Sequence, residues 1–344
     1  MHKSRIVAEI ALLIYPQCQL AAVYGLTDLT RIANQSVTLP EDDRSDVPEI
    51  RISHWQAQGD AVECIFDSHP HLPHHISYAL APPSIVMPQD MQPMPLAASW
   101  LKEMHGKGAT IGSVCAGAFV LAETGLLTGR RATTHWAFAE SLASRYPQID
   151  VAEQNMVLDE GDIITAGGIL AWADLGLVLV ERLLGPNVML ATARFLLIDP
   201  PRRDQSLYSG FIPKLDHSDP QIRKVQQHIH AHVAETISIP ALAEMVGITD
   251  RTFLRRFHKA TGHNPTEYLQ QIRVMKARDA LELSNLTVDQ IAWSVGYSDA
   301  TAFRKTFQKI AGIAPKLYRQ RFGIGQGRGD EAISLQPRPV VQRD

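Results

Sequence analysis

At 344 residues and 45% hydrophobic content, the chain carries enough apolar material for two cores. Its net charge of −3 hides an asymmetry: residues 1–199 hold 12 Lys+Arg against 22 Asp+Glu, whereas 200–344 hold 21 against 14, which points to nucleic acid as a partner of the second half only. No apolar run reaches about 18 residues, Met1-His-Lys-Ser-Arg5 leads directly into a strand-like segment, and three cysteines make no disulfide framework, so a membrane span, a signal peptide and an oxidising compartment are not expected and the cytosol is.

In chain order, residues 6–15 read as a buried strand and 20–33 as a helix. Residues 50–55, 61–66 and 84–87 read as strands, 100–107 as a helix, 109–114 as a strand, 116–124 as a helix, 162–165 as a strand and 169–184 as a helix. Such alternation predicts an α/β sandwich with a mainly parallel sheet, whose ligands bind at strand carboxyl ends. The tract from Asp67 to His75 holds four histidines, His69, His71, His74 and His75. Its two prolines, with no cysteine at zinc-ligand spacing, favour a polar loop over a metal site. The acidic cluster Glu41-Asp42-Asp43 reads as a solvated loop.

One junction stands apart. Thr110-Ile-Gly112-Ser-Val-Cys115-Ala-Gly117-Ala-Phe119 is a strand that turns abruptly into a helix at a cysteine between small residues. This is the pattern of a nucleophile elbow, where Gly112 and Gly117 let backbone pass closely and a helix N-terminus lowers a thiol pKa. Residues 198–219, rich in Pro and charge, form a predicted linker.

From Ile239 to Tyr318 the chain repeats itself. Leu242, Ala243, Val246, Gly247, Phe253, Phe257, Gly262, Pro265 and Tyr268 return as Ile291, Ala292, Val295, Gly296, Phe303, Phe307, Gly312, Pro315 and Tyr318. The step is 49 residues from Val246 to Val295 and 50 from Phe253 to Phe303, so one residue is inserted where the second helix begins. Each unit predicts a short helix, a glycine turn and a second helix opened by Thr249-Asp250 or Ser298-Asp299, whose side-chain oxygens can cap it. Thr287 and Gln290 form a predicted capping box. The aromatic pairs Phe253/Phe257 and Phe303/Phe307 must face inward. The outward face then carries Arg251, Thr252, Leu254, Arg255 and His258 in the first unit, with Arg256 and Lys259 at its edge, and Ala300, Thr301, Arg304 and Lys305 in the second. Asn264-Pro265 opens one long connecting helix, which sets two readers on successive major-groove faces about 34 Å apart. The tail from 323 to 344 reads as disordered.

Residues 220–322 resemble the DNA-binding domain of the AraC/XylS family, through both units and the phrase Val288-Asp-Gln-Ile-Ala-Trp-Ser-Val-Gly-Tyr297. Residues 1–197 resemble the PfpI-like, class I glutamine-amidotransferase-like superfamily. The resemblance is strongest at 112–136, where Leu126-Leu-Thr-Gly-Arg-Arg131-Ala-Thr-Thr-His135-Trp136 is similar to the branch fused to AraC-type domains. The fold implied is a flavodoxin-like α/β sandwich followed by an all-α domain with two helix-turn-helix units. The function implied is a transcription regulator, an activator, that binds double-stranded promoter DNA, contacts RNA polymerase and forms a homodimer. Catalytic relatives set an acidic residue against the cysteine, often with a histidine after it. Here Ala22 stands at the expected acidic position, Ala116 follows Cys115, and Pro88-Gln89-Asp90 follows the strand predicted at 84–87, where relatives carry a Gly pair. The expectation is a non-catalytic cavity that binds a small-molecule effector, anionic or carboxylated, lined by Cys115, Ala116, Gly117, His135, Gly167 and Gly168, with no metal and no cofactor. Cys115 reads equally as an inert buried thiol, and His135 as a structural hydrogen-bonding residue. The alternative is a cysteine-dependent amidase or hydratase tethered to DNA.

Overall fold

The apolar run near the amino end becomes β1 (Ser4–Ile14), unbroken in burial from Ala8 to Leu13 because both faces of the strand are covered. The computed structural model describes residues 4–37, 47–201 and 204–324, which fall into two units that divide between Gln205 and Ser206. In the first unit β1 is followed by α1 (Leu20–Gln35), β2 (Val47–Gln58), β3 (Ala61–Asp67), β4 (Ile76–Ala81), α2 (Pro95–Gly106), β5 (Thr110–Val114) and α3 (Gly117–Glu123). Then come β6 (Arg131–Ala132), α4 (Ala139–Arg145), β7 (Asp150–Val151), β8 (Val157–Asp159), β9 (Ile163–Ala166), α5 (Trp172–Leu184) and α6 (Pro186–Leu196). Seven strands form one sheet in the order β3-β2-β1-β4-β5-β9-β8, parallel from β2 to β9 with an antiparallel strand at each edge, while β6 and β7 make a separate parallel pair. This is the expected flavodoxin-like arrangement.

One expected strand is displaced. The chain pairs with its neighbours at Ile76–Ala81, and Ser84 makes only an isolated bridge to Cys18 beyond the strand end. Pro82-Pro83 ends the ladder, because proline has no N–H to give. The alanine-rich β4 has a weaker strand signature than Ile85-Val86-Met87, and central position overrides propensity. Helix α6, with Pro186 in its first turn, and α4 lie where no helix was expected.

The second unit has α7 (Pro220–Ala231), α8 (Ile239–Met245), α9 (Asp250–Thr261), α10 (Pro265–Leu283), α11 (Val288–Ser294), α12 (Ala300–Ala311) and α13 (Pro315–Phe322). It has two cores strung on one rod. Tyr268 and Ile272 at the start of α10 pack with Phe253 and Phe257, whereas Val274, Ala277 and Leu281 pack with Phe303, Phe307 and Tyr318. Each fully buried aromatic contributes roughly 1.5–3 kcal/mol of transfer free energy. Capping boxes form at Asn264/Glu267 and, as expected, at Thr287/Gln290.

The inserted residue is placed by the caps. Thr249 caps α9 and Asp299 caps α12, a step of 50, so the extra residue lies in the second turn, before the cap. Asp250 is the first helical residue, not a cap. Both turns begin on a left-handed glycine, Gly247 at φ 67° and Gly296 at φ 87°. The acidic cluster at 41–43 and the tail beyond Ile324 lie outside the described residues.

Candidate nucleic-acid interface and sensor pocket

Packing Phe253 and Phe257 inward rotates Arg251, Leu254, Arg255 and His258 of α9 to solvent, all exposed, with Lys259 beside them. In α12 the same rotation exposes Thr301, Arg304 and Lys305 and leaves Ala300 half-buried. Two of the expected readers have other partners. Arg256 turns back to Asp219 at the start of α7, donating to both carboxylate oxygens at 2.9 and 2.6 Å, and to Gln221 at 2.6 Å. Arg304 is ion-paired with Asp289 of α11. Thr252 is half-buried, with its N–H 3.4 Å from the Thr249 hydroxyl. The outward face therefore keeps Arg251, Arg255 and Lys305 as exposed cations whose side chains are not engaged in these pairs.

The connector is braced by a cation that the sequence did not single out. Arg273 of α10 donates to the carbonyls of Val233 and Glu235, and its guanidinium lies 5.3 Å from the Tyr297 ring. Gly296 passes so close that a Cβ there would stand 2.7 Å from the Ala234 carbonyl oxygen. The α7–α8 turn of the first helix-turn-helix unit is thus bolted to the glycine turn of the second, which fixes the spacing of these two helix-turn-helix units.

In the sheet unit, Cys115 lies between β5 and α3 with φ 55°, a backbone strain typical of an elbow. Gly117 is what permits it: a Cβ there would stand 2.4 Å from the Ala81 carbonyl oxygen. Cys115 is 2% exposed and Ala116 is fully buried. Burial pushes the thiol up to about 12, and the Ala116 backbone bond lowers it only in part. Tyr15, buried nearby, donates to the Pro82 carbonyl at 2.5 Å. Pro82 and Pro83, which follow β4, have no amide proton to offer an oxyanion.

His135 accepts from the Ala137 N–H through Nδ1 at 3.1 Å, capping a short 3-10 turn, and burial lowers its pKa. Gly168 has open space where a Cβ would be, whereas Gly167 is covered by the Gln205 side chain. The expected pocket residues thus share one region, but Cys115, Ala116, Gly117 and Gly167 are buried beneath it. A separate open cleft of about 740 Å³ lies between α2, the end of α3 and α4, with Lys102, Glu123 and Arg145 on its walls.

The histidine tract is stapled inward. His74 Nδ1 lies 2.7 Å from Glu9 Oε1, and Arg51 bridges Glu9 and Asp67 beneath it. Among the described residues no three His, Cys, Asp or Glu side chains gather as a metal site, and no helix is long and apolar enough to cross a membrane.

Two family models match: a helix-turn-helix domain over residues 242–321, and the DJ-1/PfpI family over residues 85–182. The chain is an AraC-type transcription regulator with a DJ-1/PfpI domain. Relatives of this regulator span both units. The HTH-type transcriptional regulator CdhR of Pseudomonas aeruginosa is 28% identical over 236 residues, covering 65% of this chain and 67% of that one. ArgR of the same organism is 28% identical over 243 residues, covering 70% and 71%. GlxA of Rhizobium meliloti is 26% identical over 239 residues, covering 69% and 73%. All three are named as transcriptional regulators. The regulator's partner is accordingly DNA, read by its second unit.

Proposed function

We propose that this regulator responds to a small metabolite through a DJ-1/PfpI domain that performs no turnover. The burial of Cys115 carries the reading: a thiol held neutral at physiological pH lacks the thiolate that acyl chemistry requires, and the adjoining Pro82-Pro83 turn has no amide proton to give an oxyanion. The protein acts in the cytoplasm as a homodimer on double-stranded promoter DNA, where it contacts RNA polymerase as an activator. Effector binding shifts the population of a DNA-engaging arrangement, which takes a differential affinity of a few kcal/mol.

Genomic fragments captured on the full-length protein, with and without a low-molecular-weight cell extract, test this. The expected motif has two half-sites about one helical turn apart, with enrichment changed several-fold by the extract. Enrichment indifferent to extract removes the sensor; no motif at low salt removes the assigned DNA face. Iodoacetamide at neutral pH is expected to label the half-buried Cys64 and to spare Cys115. Rapid labelling of Cys115 would return the amidase reading to the front.

A further inference from the structure

At the point where the chain leaves the first unit, the side chain of Gln205 is sealed inside it, 2% exposed. Its amide nitrogen lies 3.2 Å from Thr133 Oγ1 and 2.9, 3.0 and 2.9 Å from the carbonyl oxygens of Thr134, Glu153 and Asn155. Its carbonyl accepts from the Trp136 N–H at 3.1 Å. Gly167 lines the niche, and a Cβ there would stand 2.0 Å from Gln205 Nε2. Four acceptors and one donor of the first unit thus converge on one small polar group.

A primary amide fits that pattern, with its NH2 among the acceptors and its oxygen on the donor. A carboxylate would set negative charge against four oxygens, and an alkyl group would strand buried carbonyls. The niche therefore disfavours the anionic ligand expected from sequence. A free primary amide carries the same head group and would meet the same acceptors and donor, in competition with a side chain that the covalent chain already holds at the site.

The niche touches both the elbow and the linker. Thr134 Oγ1 donates to the Cys115 carbonyl at 2.8 Å, and the Thr133 N–H donates to Thr165 Oγ1 at 2.9 Å. The next residue after Gln205 belongs to the second unit, where Arg278 of α10 donates to the carbonyls of Ser206 and Ser209, and the Tyr208 ring lies 5.7 Å from Phe322. The anchored residues Gln205 and Ser206 are neighbours in the chain.

We propose that this niche is a binding site for a primary carboxamide, that Gln205 fills it in cis, and that an amide-bearing effector displaces Gln205 and frees the residues that follow. This rests on the effector-responsive reading above and names its site and ligand class. Occupancy reaches α10 through the covalent chain, because without the side chain the tether that Arg278 holds at its other end rests on the Gln205 N–H bond to the Gln154 carbonyl at 2.9 Å and the Asp204–Asn155 bridge.

Gln205→Ala removes the equivalent of acetamide, so acetamide is the probe. Amide hydrogen exchange at Trp136 is followed in the full-length protein. Exchange is expected to rise at least about tenfold in Gln205→Ala, and acetamide is expected to restore protection saturably while acetate does not. Gly167→Ala, whose methyl group fills the niche, is expected to speed the same exchange with no rescue by acetamide. Unchanged exchange in Gln205→Ala, equal rescue by acetate, or rescue of Gly167→Ala would each overturn the site. Should Gln205→Ala fail to fold, Gln205→Glu asks the same question: relative to wild type, Trp136 protection should be lost at neutral pH and return as the carboxyl protonates. A pH-independent ratio overturns the proposal. The exchange assay needs neither DNA nor extract. Capture that responds to extract, beside a niche that ignores acetamide, removes the site and keeps the sensor; the reverse keeps the site and removes the sensor.

Discussion

Phe253, Phe257 and Tyr268 stand in the first helix-turn-helix unit where Phe303, Phe307 and Tyr318 stand in the second, and all six are buried. Around these matched cores the outer faces have diverged. Where α9 presents Leu254, 37% exposed, α12 presents Arg304 paired with Asp289. Where α9 ties Arg256 to α7 through Asp219, α12 has Thr306. Thr249 caps one helix with a single bond and Asp299 caps the other with two, at 2.8 and 3.1 Å. The core answers to the fold and tolerates little change, whereas the outer faces are free of that constraint and have diverged.

The largest effects should come from breaking what the units share. Phe257→Ala and Phe307→Ala should each cost about 3–5 kcal/mol, the usual range for a large buried aromatic, measured by chemical denaturation. Each is expected to strip exchange protection from its own core and spare the other, because the two clusters meet different halves of α10. Loss of both cores from one substitution would show that α10 makes them a single cooperative unit.

Breaking what differs should act on DNA. Arg255→Ala and Lys305→Ala should each weaken specific binding by about 1–3 kcal/mol if they reach base edges, and relax the motif at one half-site only. Indifference of both would remove α9 and α12 as the readers. Arg256→Ala separates structure from recognition. It should lower stability by at most about 1 kcal/mol, as partly exposed ion pairs do, and leave the sequence preference intact; an altered preference would return Arg256 to the reading face.

These faces show what could be read in the sequence. The helix-turn-helix units were legible because the duplication states each helical period twice, and Phe253/Phe257 orient the helix without further information. The Arg304–Asp289 pair was not, since it joins the start of α11 to α12 across a turn. In the sheet unit, Cys115 and Gly117 announced the elbow by type and spacing, but left the burial of the thiol as one of two readings, which the fold decides. β4 was hidden by its alanines. Gln205 carried no signal at all: three of its acceptors are backbone carbonyls, which every residue has, and only the fold gathers them.

The smallest and most selective contrast lies in the caps. Bonds from the backbone N–H groups of Thr301 and Ala302 hold the Asp299 carboxyl below its usual value. A group whose folded pKa is depressed stabilises fully above its unfolded pKa and loses that contribution as pH falls through the folded value. Asp299 should therefore cap α12 fully at neutral pH and release it only below about pH 4, the ordinary carboxylate range. Thr249 has no charge to lose, so the α9 cap should not follow. Residue-resolved amide shifts, titrated downward from neutral pH, are expected to move at Thr301 and Ala302 and to stay flat at Thr252. The first helix-turn-helix unit has its own acid-sensitive tie at Asp219, whose carboxyl Arg256 holds low, but that tie caps α7 and bonds the Ile222 N–H. Coincident titration of Thr252 with Thr301 would mean that the two helix-turn-helix units melt together in acid, and that the caps do not report separately on α9 and α12.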